Sequence, residues 1–236
     1  MSYIINLGFI MKKSFTMLEL IFVIMIISIL TAIVIPNTRA NSLEEAAIQL
    51  RTHLRYTQHL SFINDTYDAT DDEWYKKRWQ LVFYEGADAD NKVAYTIFSD
   101  KAGSSTGNPQ ETEIALNPLN RKQRMTGGYS GANALDIRHT SFVGMKELNI
   151  GQKYGVISKR LGGGCSNSRI SFDYLGRPLK GDHDTMTSPY NSGSSQRLIT
   201  TNCTITLRDA TESIVIRIVP ETGFVCVLND DNTECR

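Results

Sequence analysis

The chain carries no net charge: 25 lysines and arginines balance 25 aspartates and glutamates over 236 residues. No global field therefore draws it to nucleic acid or to an acidic surface, and any such contact must be built locally. Cysteine is missing from the first 164 residues, and the four present are Cys165, Cys203, Cys226 and Cys235. No Cys-x-x-Cys pair and no histidine at zinc-ligand spacing from a cysteine occurs, which argues against the common zinc frameworks. Histidine is scarce: His53, His59 and His139 have no partner spacing, and His53 and His59 fall on or near the polar face of a helix. The fourth sits in Asp182-His183-Asp184. Adjacent side chains on a loop do not converge on one ion without further ligands, so a solvated turn is expected there. Gly162-Gly163-Gly164-Cys165-Ser166 lacks the Lys-Ser/Thr ending of a phosphate loop and reads as a flexible loop carrying a disulfide. With no catalytic constellation, a membrane-anchored hydrolase has no assembled active site. The expectation is a non-enzymatic protein with no cofactor and no metal.

What the chain does have is one long apolar run. From Phe15 to Ile35 every residue is apolar or small and neutral except Glu19 and the weakly polar Thr16, Ser28 and Thr31. At about 1.5 Å per residue the run matches a hydrocarbon core of roughly 30 Å. Lys12 and Lys13 stand immediately before it and hold the preceding segment in the cytoplasm, which puts the chain after Pro36 beyond the inner membrane. A carboxylate inside a membrane span costs a few kcal/mol, so Glu19 reads as a functional residue with a partner. A secretory signal peptide has a shorter apolar stretch, about 7 to 15 residues, and a small-x-small cleavage site. Thr38-Arg39-Ala40 is a poor one. A plain anchor explains the length and the lysines, but not Glu19, Phe15 or Pro36.

A basic pair, a small residue, Phe, Thr, and then Glu five positions into an apolar helix resembles the prepilin signature of type IV pilins and type II secretion pseudopilins. The resemblance implies cleavage by a prepilin peptidase between Ser14 and Phe15 and N-methylation of Phe15. It also implies assembly of the apolar helix into a filament. Glycine most often precedes the cut in that family; Ser14 is also small. Pro36 falls where the family often carries a helix-kinking proline. After cleavage, the amine of Phe15 on a neighbouring subunit is a cation at the depth of Glu19, and pairing offsets the desolvation of both. Glu19 is thus expected to set assembly register. Met1 to Ile10 is apolar and unusual as a leader, and Met11 offers an alternative start.

The expected organisation is a leader (1–14), a transmembrane half-helix (15–36), an amphipathic half-helix (37–65) and a β-rich periplasmic domain (66–236). Leu43, Ala47, Leu50, Leu54 and Leu60 recur at helical spacing among charged residues, and Ser42 with Glu45 has the form of a capping box. A pause near Asn37 to Asn41 and an end near Asn64-Asp65 follow. Trp79–Tyr84 and Lys92–Phe98 read as a hairpin, and 100–133 as a long surface excursion with at most short strands. Further strands are expected at Thr140–Met145, Tyr154–Ser158, Arg169–Tyr174 and Cys203–Leu207, with a loop at Lys180–Gln196. Ile214–Val219 and Phe224–Leu228 pair across Pro220-Glu221-Thr222-Gly223. Ser171 to Pro178, Ile205-Thr206-Leu207 and Ile214 through Val225 are similar to the GspH/FimT minor pilins and pseudopilins. The fold expected is α+β, a long N-terminal helix whose second half packs on an antiparallel sheet.

In an oxidising compartment four cysteines read as disulfides with three connectivities; Cys226 with Cys235 and Cys165 with Cys203 are favoured, against free or metal-bound thiols. Arg121, Lys122 and Arg124, with Arg138 and Tyr129 nearby, form a local basic cluster able to hold phosphates, Tyr129 offering a stacking face. The expected partners are the prepilin peptidase, other pilin or pseudopilin subunits and inner-membrane lipid. DNA or a secreted protein joins them if the domain is a filament-tip binding module.

Overall fold

The structure, a computed structural model, describes residues 16–39, 42–64, 66–101, 106–165, 167–190, 193 and 196–236. The chain divides into two units, Met1–Asn41 and Ser42–Arg236. The first contains α1 (Met17–Arg39), whose helical span runs through Pro36. The second opens with α2 (Ser42–Ile63) and holds two antiparallel sheets. It is an α+β unit.

The helical period of α2 buries Leu43, Ala46, Ala47, Leu50, Leu54, Thr57, Leu60 and Ser61 on one face. That stripe lies against strands of both sheets. Leu50 and Leu54 are fully buried, each contributing about 1.5–3 kcal/mol of transfer free energy. The first sheet contains β1 (Trp79–Tyr84), β2 (Ala94–Ser99), β4 (Arg169–Phe172) and β5 (Pro178–Lys180), in the order β2-β1-β4-β5. The second contains β3 (Ser158–Gly163), β6 (Cys203–Arg208), β7 (Ser213–Ile218) and β8 (Val225–Val227), in the order β3-β6-β7-β8. The expected hairpin is present, with Leu81 opposite Ile97. β7 turns into β8 through Gly223 at φ +63°, a conformation that suits glycine.

Several expectations are corrected. The segment after β2 is not a surface excursion. Ile114, Ala115, Met125, Tyr129 and Leu135 are buried. Ile114, Tyr129 and Leu135 cluster with Val82 and Phe98 on the face of the first sheet away from the main core. Thr140–Met145 is not a strand; Gly144 makes one isolated bridge to Arg124. Tyr154 instead ends a short helix, α3 (Ile150–Tyr154), capped at its start by the Asn149 side chain. Gly162 and Gly163 belong to β3 rather than to a loop. His183 is buried rather than solvated, because the 181–190 segment folds over Ser171, whose hydroxyl lies 2.6 Å from His183 Nε2.

Candidate functional site

The first unit presents a helix that is apolar on every side. Every side chain from Thr16 to Thr31 is exposed, including Leu18, Ile21, Phe22, Ile24 and Leu30. The hydroxyls on this surface are satisfied within the helix: Ser28 Oγ donates to the Ile24 carbonyl at 2.7 Å and Thr31 Oγ1 to that of Ile27 at 3.0 Å. Such a surface suits a bilayer or a bundle of like helices and is costly in water. The fifteen residues Met17–Thr31 rise about 22 Å, and the side chains beyond them lie outside the described residues. Among the described residues no helix is long and apolar enough to cross a membrane.

Glu19 has a local role that spacing alone did not expose. The Thr16 backbone N–H and hydroxyl both donate to Glu19 Oε2, at 2.8 and 2.9 Å, while the Glu19 N–H donates back to Thr16 Oγ1 at 3.3 Å. This is a reciprocal capping box, and the signal for it was Thr-x-x-Glu ahead of the apolar run. Both Thr16 donors use Oε2, and Oε1 takes no bond among the described residues. The cleavage and methylation positions, Ser14 and Phe15, lie outside the described residues.

The second unit is cross-linked by two disulfides. Cys165 pairs with Cys203 across 38 residues, with Cα atoms 4.9 Å apart, and Cys226 with Cys235 across 9, with Cα atoms 5.5 Å apart. The basic cluster is largely committed to internal pairing. Arg138 forms a two-point ion pair with Asp136 at 2.9 and 2.8 Å, which holds that carboxyl down at about 2. Arg124 Nε lies 3.6 Å from Glu111. Tyr129 is buried against Tyr84, ring centres 4.8 Å apart, and its hydroxyl donates to Asn108 Oδ1 at 2.8 Å. It has no face to offer a base. Within this cluster, Arg121 and Lys122 are exposed and free of such pairing among the described residues, on the turn between Asn117 and Gln123. Arg121 borders a groove of about 500 Å³ shared with Tyr56, Lys101, Glu113 and Leu116.

No protein-family model, curated protein or solved structure matches this chain. Function must therefore be argued from its own residues.

Two features were missed. His53 lies beneath the helix surface, with Nδ1 2.7 Å from the buried Tyr95 hydroxyl, and burial lowers its pKa to about 4. An aromatic and guanidinium cluster assembles from three distant segments: Tyr67 with Trp74 and Arg78, Asp173 through Arg177, and Tyr190. Its local signal is Trp74-Tyr75-Lys76-Lys77-Arg78-Trp79, which interleaves rings with cations. Its remainder lies about 100 residues away in sequence, and no periodicity links the parts. Asp173 is its hub, fully buried and accepting from Arg177 Nε at 2.8 Å, the Tyr190 hydroxyl at 2.9 Å and two backbone N–H groups.

Proposed function

We propose that this chain is a minor pilin or pseudopilin, a non-enzymatic subunit of a type II secretion, type IV pilus or competence filament. A prepilin peptidase cuts it after Ser14 and methylates Phe15, and α1 then anchors it in the inner membrane and joins the helices of neighbouring subunits. The observation that carries this reading is α1 itself, apolar on all sides, with its hydroxyls internally satisfied and one carboxylate in its first turn. A helix with that surface needs lipid or other helices around it. The two disulfides support export of the second unit to an oxidising compartment.

The deciding measurement is the intact mass of the mature protein recovered from membranes. A chain beginning at methylated Phe15 is expected, whereas one beginning at Met1 or Met11 overturns the proposal. Glu19→Val is expected to keep membrane insertion and lose incorporation into filaments. Contact with DNA or a secreted substrate rests on Arg121, Lys122 and Arg124, of which Arg124 is already paired. Charge reversal at all three that leaves uptake or secretion unchanged would remove that alternative.

A further inference from the structure

A depression of about 350 Å³ opens on the second unit, walled by Tyr67, Trp74, Tyr174 and Tyr190. Its size and aromatic lining are those of a small-ligand site. Tyr67 and Tyr174 are exposed, although large apolar side chains ordinarily gain by burial. Tyr67 meets Trp74 edge-on with centres 5.2 Å apart, which fixes the angle of one wall. Asp173 fixes another by holding the Tyr190 hydroxyl.

The charges beneath the rings decide what the depression takes. The Arg78 guanidinium lies 5.5 Å from the Trp74 centre and 4.9 Å from that of Tyr190, and Arg177 lies 5.0 Å from Tyr190. The attraction of these two rings for a cation is thus already used internally, which argues against an ammonium ligand. Arg78 is 3 % exposed and makes no ion pair among the described residues. One nitrogen, Nη2, donates to the Pro189 carbonyl at 3.0 Å, while Nε and Nη1 have no hydrogen-bond partner among the described residues. A buried cation with idle donors favours an incoming anion, and a planar guanidinium favours a carboxylate. A chamber of about 10 Å³, room for roughly one oxygen-sized atom, lies among Arg78, Ser61, Asn64 and Thr66 and shares Trp74 and Tyr174 with the depression above. The neighbouring Asp173 favours the Arg78 charge only through space, since its oxygens are occupied by Arg177, Tyr190 and the backbone.

We propose that this depression binds a carboxylate borne on a single flat ring, the ring seated among Tyr67, Trp74 and Tyr174 and a carboxylate oxygen directed toward Arg78. Two sources carry that chemistry, a free aryl acid and the C-terminal aromatic residue of a peptide. The site is independent of filament assembly, so its failure would leave that reading intact.

The test is a tryptophan-fluorescence titration of the full chain in detergent, up to about 10 mM probe. N-acetyl-phenylalanine and phenylacetate stand for the two sources. N-acetyl-phenylalanine amide removes the charge, and N-acetyl-alanine removes the ring. Saturable binding of either acid is expected, with the amide and the alanine derivative each at least about tenfold weaker. Tighter binding of N-acetyl-phenylalanine assigns the site to peptide ends, and tighter binding of phenylacetate to free acids. Tyr174→Ala should weaken binding about tenfold, while Phe224→Ala, an exposed ring outside the depression, should not. Arg78→Gln should abolish the preference for acid over amide. Should that variant fail to fold, the acid-to-amide comparison on the native chain decides alone. Equal binding of acid and amide, equal binding of the alanine derivative, or no saturable binding by either acid each overturns the proposal.

Discussion

Glu19→Gln separates two jobs that Glu19→Ala removes together. In the capping box both Thr16 donors reach Oε2 at 2.8 and 2.9 Å. A glutamine carbonyl oxygen can occupy that position, so the amide keeps the cap and loses only the charge. If capping is the whole role, Glu19→Gln costs a few tenths of a kcal/mol and Glu19→Ala about 0.5–2 kcal/mol. If Glu19 also pairs with the amine of Phe15 on the next subunit, the amide leaves that cation unpaired in lipid, at about 3–5 kcal/mol. That is a loss of about 10²- to 10⁴-fold in assembly per subunit. The two accounts rank the variants differently. Capping alone puts Gln beside the native chain and above Ala, whereas pairing puts Gln beside Ala and far below the native chain. The assay is the amount of each variant in sheared filaments relative to its amount in membranes, by quantitative immunoblot. Glu19→Gln incorporated at native levels would refute the pairing argument, whatever Glu19→Ala does.

Removing Cys165–Cys203 should cost more than removing Cys226–Cys235. Loop closure over separations of 38 and 9 residues gives about 3.9 and 2.6 kcal/mol, read from urea midpoints of the paired Cys→Ala variants. Leu50→Ala and Leu54→Ala each leave a cavity between α2 and the sheets and should cost about 3–5 kcal/mol, whereas the exposed Ile48→Ala should change stability by under about 0.5 kcal/mol. Burial lowers the pKa of His53 from 6.5 to about 4 and that of His183 well below 6.5. The unfolded chain therefore takes up protons first, and stability is full above about pH 6.5 and declines toward pH 4. His53→Gln should flatten part of that slope in melting temperatures measured across the window, and an unchanged slope would contradict the burial argument.

The first helix was legible as an unbroken apolar run and α2 as a single dominant period, whereas the short α3 was not. Leu43 to Leu60 repeats at helical spacing, and the burial of α2 follows it. The β1–β2 and β7–β8 hairpins were legible through apolar runs meeting at polar or glycine-bearing turns. The outer face of the first sheet was not. Gln80, Arg169 and Ser171 look like the wet side of strands, yet all three are buried. The 181–190 segment covers them and supplies His183 to Ser171 and Asp182 to Arg169, the latter at 3.0 Å. A polar residue covered by a distant loop has the same local pattern as one facing water, so alternation cannot tell them apart. The aromatic depression was hidden for a related reason, since its walls come from segments with no shared period.

The same limit explains why the 100–133 stretch looked like display and is construction. β2 would otherwise be the open margin of the first sheet, with unpaired backbone groups that invite other strands. Instead the Ala115 N–H donates to Ile97 O at 2.9 Å, the Ile97 N–H to Met125 O at 2.9 Å and the Gly127 N–H to Tyr95 O at 3.1 Å. Single bridges of this kind seal an edge without a regular strand, so they leave no alternation in the sequence. Leu198 closes the margin at β5 in the same way, and Cys235 bridges Leu228 beyond β8, where the Arg236 N–H donates to Val227 O at 2.8 Å. Among the described residues, that leaves β3 as the sheet margin with no strand or bridge beside it. It carries Lys159 and Arg160, and charge on an edge strand discourages pairing with another chain. Three loops that lack periodicity are thus spent on closing edges. The aromatic depression over Arg78 stays open, and there exposed rings coincide with a buried guanidinium that has no ion pair among the described residues.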